Sequence, residues 1–128
     1  MNVDQLPIEP GSGDRKFITQ VMEVMKANYA NSDFDVSNFC EAVGVSKTLL
    51  NQKLQDLVGQ SAGQFIRNYR LNLARDLILV NRTSHAMNIS EIAYRVGFND
   101  PKYFTRCFSK EFKVKPSDLL NGRTDLPD

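Results

Sequence analysis

The chain has 128 residues, of which 41% are hydrophobic and 24% charged, a length and composition that allow one modest hydrophobic core. No apolar run approaches the ~20 residues that a bilayer requires, which excludes a membrane-spanning helix. Because the chain has two cysteines and no secretion signal at its start, we expect a cytoplasmic protein with free thiols, with any membrane anchor lying outside these residues.

The net charge of +1 gives little support for a nucleic-acid partner, but the charges are unevenly distributed. Residues 14–120 carry 15 basic and 11 acidic side chains, and residues 91–115 carry six basic and three acidic ones. Salt screens exposed charges beyond about 8–10 Å, so a local basic excess is what matters for contact with phosphate groups. The basic excess in residues 91–115 therefore predicts phosphate contacts in the C-terminal half of the chain.

The first predicted helix follows a linker. Residues 1–13 contain two prolines and two glycines and show no apolar periodicity, which is typical of a linker. Asp14 begins a helix that we expect to end near Ala30, because apolar residues recur at helical spacing. These apolar residues are Phe17, Val21, Val24 and Met25.

Residues 35–58 are predicted to form a helix, a tight turn and a second helix. Gly44 is the predicted turn residue, since glycine enters the left-handed conformation without a steric penalty. Ser46 is a good N-cap for the second helix, and Leu50 and Leu54 lie on the apolar face of that helix.

Residues 62–80 predict one long helix that no proline interrupts. Its length of ~28 Å is close to the ~34 Å of one DNA turn, and we therefore interpret it as a rigid spacer. Residues 81–87 follow as a polar loop. The apolar stripe of the helix consists of Phe65, Ile66, Tyr69, Leu73 and Leu77.

Residues 89–112 predict a second helix-turn-helix. Asn88 and Glu91 have the spacing of a capping box, and Gly97 ends the first helix. Asp100 caps the next helix, which has proline at its first position, where a missing N–H costs nothing. The buried stripe of this helix consists of Tyr103, Phe104, Phe108 and Phe112.

The two predicted helix-turn-helix segments are copies of one another. The sequence VSNFCEAVG at residues 36–44 aligns with ISEIAYRVG at residues 89–97, at an offset of 53. One extra residue in the second turn raises the offset to 54, so Ser46 corresponds to either Asn99 or Asp100. An internal repeat of this kind predicts two similar structural units.

The sequence ISEIAYRVGFNDPKYFTRCFSKEFKVKP, residues 89–116, resembles the second helix-turn-helix of the AraC/XylS family of bacterial transcription regulators. The similar region runs from about Phe17 to Leu120. The family usually has glycine where Lys113 lies and an aromatic–arginine pair where residues 119–120 lie. Because a left-handed lysine costs roughly 1 kcal/mol, we expect a slightly different end for that helix.

The duplication and the resemblance together predict an all-α fold of about seven helices. Residues 14–120 would form a DNA-binding domain of two helix-turn-helix subdomains, joined by a long linker helix. We expect residues 121–128 to be a disordered tail. The first subdomain corresponds to residues 35–58, the linker helix to residues 62–80 and the second subdomain to residues 89–112.

Base contacts are predicted on both recognition helices. On the second, Arg106 has the side-chain geometry to bond guanine O6 and N7, and Lys102 and Thr105 share its face. Contact of Arg106 with phosphate alone, or an ion pair with Asp100 or Glu111, is the alternative. On the first, the resemblance implies base contacts by Thr48, Asn51 and Gln52.

Other residues are given supporting roles. The family often has arginine where Gln52 lies. We therefore expect the first recognition helix to contribute less electrostatic attraction for DNA than it does in family members with that arginine. Gly44 and Gly97 are predicted to serve only as turn residues. Phosphate contacts are predicted for Lys47, Lys53, Tyr103 and Lys110.

We expect no enzymatic activity, metal or cofactor. The chain has no nucleophile–base–orienter set and no glycine-rich phosphate loop, and His85 lies in a loop without other metal ligands. Cys40 and Cys107 fall on core-facing helical positions without an activating neighbour. This favours buried thiols over the cysteine alkyl acceptors that are sometimes fused to domains of this family.

The predicted function is sequence-specific binding of double-stranded DNA for transcriptional control, with each recognition helix in one of two successive major grooves. The resemblance extends to the C-terminal output domain of hybrid two-component regulators, which commonly control polysaccharide use, and implies RNA polymerase as a partner. A receiver domain in the same full-length chain, and a homodimer formed through regions outside it, stay open. So do two alternatives, a free-standing monomeric activator and a protein-docking module with weak DNA affinity.

Overall fold

The structure, a computed structural model, describes residues 12–123, and within that range it consists of helices joined by turns, without a strand. The prediction of an all-α fold with about seven helices is confirmed. The pairs α2–α3 and α5–α6 are the two helix-turn-helix segments, and α4 is one uninterrupted helix of 19 residues. The helices are α1 (Ser12–Asn28), α2 (Val36–Val43), α3 (Lys47–Val58), α4 (Ala62–Val80), α5 (Ile89–Arg95), α6 (Pro101–Phe112) and α7 (Pro116–Leu120).

The described residues group into two compact units, which divide within α4 between Tyr69 and Arg70. In the N-terminal unit, the ring of Phe39 lies at the centre of the core, 5.8 Å from the ring of Phe34 and 6.1 Å from that of Phe65. Helix α1 supplies a large share of this core and is therefore an integral part of the unit. Its buried residues are Phe17, Ile18, Val21 and Met25.

The C-terminal unit is built around a ladder of aromatic rings along α6. The ring of Phe104 lies 5.1 Å from that of Phe98 and 5.6 Å from that of Phe108. Phe112, predicted to be buried, is only half-buried and packs at the edge of the core, 4.7 Å from Phe108. The remaining buried residues of this core are Leu71, Ala74, Ile78, Ile92, Ala93, Val96, Val114, Leu119 and Leu120.

Side chains cap the helices of both helix-turn-helix segments, because the first backbone N–H groups of a helix have no partner within it. The predicted capping box of Asn88 and Glu91 is present at α5, and α2 has an equivalent box. Ser46 caps α3 and Asp100 caps α6. Ser46 therefore corresponds to Asp100, which decides between the two alternatives that the sequence left open.

The extra residue of the second turn lies after its glycine. Phe98 and Asn99 separate Gly97 from the N-cap Asp100, whereas Val45 alone separates Gly44 from the N-cap Ser46. The first helices of the two segments also end differently. In the first segment, Gly44 follows α2 directly, with a φ of 83°. In the second, α5 ends at Arg95 and Val96 forms the C-cap, before Gly97 adopts a φ of 103°. Both glycines take the left-handed conformation predicted for them, which L-residues with a Cβ atom adopt only at a cost.

Lys113 departs from the expected behaviour. It occupies the C-cap of α6 in the left-handed conformation, with a φ of 61°, and its N–H donates to the carbonyl of Ser109 at 2.9 Å. Gly59 has the same role at the end of α3, with a φ of 70°. The expectation that the helix ends differently was wrong, because the C-cap of α6 has the same left-handed geometry as that of α3 in spite of the lysine side chain.

The two ends of the chain are partly ordered where the sequence predicted a linker and a tail. Helix α1 includes residues 12 and 13, which were assigned to the linker, and the rest of that segment lies outside the described residues. At the other end, Arg123 is held by Asp118, whose Oδ1 lies 3.3 Å from its Nε and whose carbonyl accepts its N–H at 2.9 Å. Residues 121–123, predicted as part of a disordered tail, therefore belong to the part of the chain that the structure describes, and residues 124–128 lie outside it.

Candidate nucleic-acid interface

The exposed face of α6 carries a line of positive charge. Asp100 fixes the start of the helix by accepting the N–H groups of Lys102 and Tyr103 at 3.0 and 3.4 Å. The buried rings of α6 face the core, which directs three exposed cations at four-residue spacing to one outer face. We call these three the α6 basic stripe: Lys102, Arg106 and Lys110.

Arg106 is held by an aromatic ring instead of an acidic partner. Its Cζ lies over the ring of Tyr103, 5.7 Å from the ring centroid, within the range of a cation–π interaction. Asp100, one of the two acidic residues considered as a partner, accepts backbone N–H groups at the helix start. Thr105 lies beside Arg106 and is half-buried. The guanidinium therefore keeps its net charge and lies on an exposed helix face.

The first recognition helix, α3, presents a different surface. Thr48 and Gln52 are exposed, as base contacts require, and so is Lys47. Lys53 is half-buried, and its Nζ lies 4.9 Å from the ring centroid of Phe17 in α1. This contact ties the predicted phosphate ligand Lys53 to Phe17, a buried residue of α1.

Asn51, predicted as a base contact, has a structural partner. Its Oδ1 accepts the backbone N–H of Ala62 at 2.7 Å, in a part-buried position. A bidentate contact with adenine requires the amide N–H₂ and the amide oxygen together, and this oxygen is already engaged at the first residue of α4. Ser61 and Gln64 complete the cap of α4 with a reciprocal pair of hydrogen bonds at 2.9 and 3.2 Å.

We expect Asn51→Ala to lower the free energy of unfolding by about 1–2 kcal/mol, because it removes a helix cap in a part-buried site. Urea denaturation followed by circular dichroism measures this change. Gln52→Ala, at the exposed neighbouring position, is the matched control and should change the stability by less than about 0.5 kcal/mol. Equal losses in the two variants would contradict the capping role of Asn51.

The two recognition helices differ in charge at equivalent positions. At the offset of 54 residues, the α6 basic stripe corresponds to two neutral residues and one acidic residue of α3, all of them exposed. At these positions, α6 therefore presents a more positive surface than α3, and positive potential attracts a phosphate backbone. These α3 residues are Thr48, Gln52 and Asp56.

Arg75 of α4 has partners within the protein. The Nη2 of Arg75 lies 3.5 Å from Oδ1 of Asp76, and its guanidinium lies 5.4 Å from the ring centroid of Phe112. Burial lowers the pKa of Arg70 from its ordinary value, although an arginine keeps its charge at neutral pH. Burial, together with the neighbouring Tyr29, raises the pKa of Tyr69, whose hydroxyl stays neutral.

The remaining candidate groups contribute no second site within residues 12–123. Cys40 is buried, whereas Cys107 is only half-buried, so the prediction of a fully buried thiol holds for the first alone. In this part of the chain, no three His, Cys, Asp or Glu side chains are grouped closely enough to hold a metal ion. None of the helices described is long and apolar enough to span a bilayer.

Two features of this surface were missed in the sequence. The cap that Asn51 gives to α4 joins residues 11 positions apart and leaves no local signal. The contact between Tyr103 and Arg106 joins residues three positions apart, a spacing at which side chains on a helix meet. The second contact was therefore detectable from spacing alone.

The chain is similar to known helix-turn-helix proteins. A family model described as a helix-turn-helix domain matches residues 39–122. The chain is 37% identical over 108 residues to Histidine kinase P4 of Formosa agariphila, a match that covers 84% of this chain and 8% of that protein. It is 38% identical over 95 residues to the transcriptional activator RhrA of Rhizobium meliloti, covering 74% of this chain and 29% of RhrA. The chain thus spans less than a third of either relative.

The fold is shared with a solved structure. A transcriptional regulator from Chromobacterium violaceum, described as an AraC-type DNA-binding domain-containing protein, superimposes with a TM-score of 0.75 at 22% identity. The superposition covers 90% of this chain and 98% of that one. At this level of identity the likeness establishes the fold, and the family rests on the matched helix-turn-helix model.

Proposed function

This chain belongs to the AraC-type helix-turn-helix family of DNA-binding transcription regulators, and from that premise we propose that it reads specific duplex sequences through α3 and α6. The observation that carries the proposal is the α6 basic stripe, an exposed line of cations on the second helix of a helix-turn-helix. Such a helix enters the major groove, where base edges present distinct donor and acceptor patterns.

We assign direct base contacts to five of the six predicted residues. Arg106 is the principal one, because its planar fork can bond guanine O6 and N7 together. Asn51 is left out, because it caps α4. The base-contact set is Thr48, Gln52, Lys102, Thr105 and Arg106.

Phosphate contacts supply most of the affinity. Lys47 at the start of α3 and Lys110 near the end of α6 are exposed and flank the base-contact residues. Lys53 has a smaller share, because its ammonium group lies over Phe17. Tyr103 was predicted to bind phosphate through its hydroxyl, whereas the structure places its ring against the guanidinium of Arg106.

Each recognition helix would occupy one of two successive major grooves. The support is the unbroken course of α4, whose 19 residues correspond to ~28 Å, compared with ~34 Å for one turn of DNA. Since α6 has the stronger positive charge, we expect its half-site to contribute more to the affinity than that of α3.

The domain would be the output part of a two-component regulator of polysaccharide or sugar use. The support is the similarity to a protein named histidine kinase, of which this chain matches only 8%, which leaves room there for other domains. RNA polymerase, a receiver domain in the same full-length chain, a homodimer through other regions and a cytoplasmic location belong to the same proposal. A free-standing activator is the second candidate, favoured by the match to RhrA, which is described as a transcriptional activator.

The salt dependence of DNA binding distinguishes this function from that of a protein-docking module. With three lysine–phosphate contacts, we expect the logarithm of the association constant for random duplex to fall with the logarithm of salt concentration at a slope of about −3. Fluorescence anisotropy with a labelled duplex at several salt concentrations measures the slope. A slope near zero, or no binding at low salt, would contradict DNA binding and favour the docking module.

A further inference from the structure

We propose that Tyr103 is a positioning residue for Arg106: its ring, packed against Phe98, holds the guanidinium over the exposed face of α6 before DNA binds. The inference rests on the proposed function, since it assigns the part of the protein that prepares the principal base contact. It gives Tyr103 a role through its ring instead of through the hydroxyl group.

The geometry forms a chain of three contacts that starts in the core. Phe98 is buried, and its ring packs edge-on against Phe104 at a centroid distance of 5.1 Å. The ring of Tyr103 lies 6.0 Å from that of Phe98, and the guanidinium of Arg106 lies 5.7 Å from the ring of Tyr103. The exposed side chain of Arg106 is thereby linked to the rigid core of the C-terminal unit.

Tyr103 is itself exposed to an unusual degree for a residue of the aromatic ladder. It is 41% exposed, whereas Phe104, its neighbour in sequence, is fully buried. Because the ring packs on Phe98 and is still partly exposed, its outer surface can contact the arginine. The sequence assigned Tyr103 to the buried stripe, but the structure places it between the core and the basic face.

An arginine that already packs against a ring loses less conformational entropy on binding a base than a mobile arginine does. A free arginine side chain loses rotamer freedom when it binds, and a contact that already restricts it reduces that loss. An aromatic ring attracts the cation without neutralising it, so the net charge of the guanidinium remains available to the DNA. An acidic partner would restrict the side chain equally well but would cancel its charge.

The second helix of the first helix-turn-helix, α3, has no equivalent pair of an aromatic residue and an arginine. At the matching positions of α3, Leu49 replaces Tyr103 and Gln52 replaces Arg106. A neutral amide gains nothing from a cation–π contact, and a leucine offers no ring. The aromatic residue and the arginine thus occur together on α6, and both are missing at the matching positions of α3. This is expected if the tyrosine positions the arginine.

A double-mutant cycle on the full 128-residue chain tests the proposal, with affinities measured for a duplex selected from a random library. The variants are Tyr103→Phe, Tyr103→Leu, Arg106→Ala and the double variant Tyr103→Leu/Arg106→Ala. Tyr103→Phe keeps the ring and removes the hydroxyl, and Tyr103→Leu removes both. Thermal melts of all variants show whether the C-terminal unit remains folded.

We expect Tyr103→Leu to weaken binding roughly two- to fivefold, the fold-change that corresponds to an exposed cation–π contact. Tyr103→Phe should bind like the unaltered chain. In the Arg106→Ala background, Tyr103→Leu should have almost no further effect, because a positioning residue acts only through the group it positions.

Three results would overturn the proposal. A loss in Tyr103→Phe equal to that in Tyr103→Leu would assign the effect to a hydroxyl–phosphate bond. Additive losses in the cycle would show that Tyr103 and Arg106 act independently, and an unfolded Tyr103→Leu together with weakened Tyr103→Phe would also reject the positioning role. If instead the unaltered chain selects no sequence at all, the proposed function itself fails, which is a distinct outcome.

Discussion

Replacing Arg106 with alanine is expected to reduce discrimination at one guanine-containing position of the binding site by about 1–3 kcal/mol, a roughly 5- to 150-fold change. The reason is that alanine cannot hydrogen-bond O6 and N7 of guanine. Duplexes with another base pair at that position should therefore bind about as well as the duplex with guanine. Competition binding with duplexes that carry each base pair at each position measures the change.

Two variants of the α6 basic stripe are matched controls for Arg106→Ala. Arg106→Lys keeps the charge but loses the planar fork, so it should recover affinity more than discrimination. Lys110→Ala removes a proposed phosphate contact and should weaken binding to all duplexes about equally, with a salt slope smaller by about one. If Arg106→Ala lowers affinity uniformly and leaves discrimination intact, Arg106 contacts phosphate instead of a base.

Replacing Phe104 with alanine is expected to lower the free energy of unfolding of the C-terminal unit by about 3–5 kcal/mol. Phe104 is completely buried and its ring contacts both Phe98 and Phe108, so its removal leaves a cavity at the centre of the aromatic ladder. Denaturation by guanidinium chloride, followed by circular dichroism, measures the loss. DNA binding should fall with it, because the same core orients α6.

An exposed aromatic residue of the same unit provides the control for Phe104→Ala. Tyr94 lies on α5 and is 55% exposed, so Tyr94→Ala should change the stability by less than about 0.5 kcal/mol. A loss below about 1 kcal/mol for Phe104→Ala, or equal losses for the two variants, would contradict the central position of Phe104 in the core.

Much of the fold could be predicted because its signals are local. The capping box of Asn88 and Glu91 and the N-caps Ser46 and Asp100 were recognised within a few residues of sequence, and each is present. The internal repeat made the prediction stronger, because each copy supported the interpretation of the other. Helix α6 was predicted with its buried Phe104 and Phe108 and its basic face, since both follow from helical periodicity. Tyr103 and Phe112, predicted for the same buried stripe, are exposed and half-buried, respectively.

Features that depend on tertiary packing could not be predicted. The bond from Asn51 to Ala62 joins two helices, and the contact of Lys53 with Phe17 joins residues 36 positions apart. Each of these contacts engages a side chain that the sequence predicted to bind DNA. Lys113 takes a left-handed conformation that its residue type disfavours, so its residue type gave the wrong expectation for the end of α6.

Selection of bound sequences from a random duplex library tests most directly whether this domain reads DNA sequence. We expect an enriched motif with two blocks about one helical turn, roughly 10 base pairs, apart. The stronger block should contain guanine and should lose its preference at that position in Arg106→Ala. Recovery of sequences without any enrichment, under conditions in which the chain is folded, would contradict sequence-specific binding.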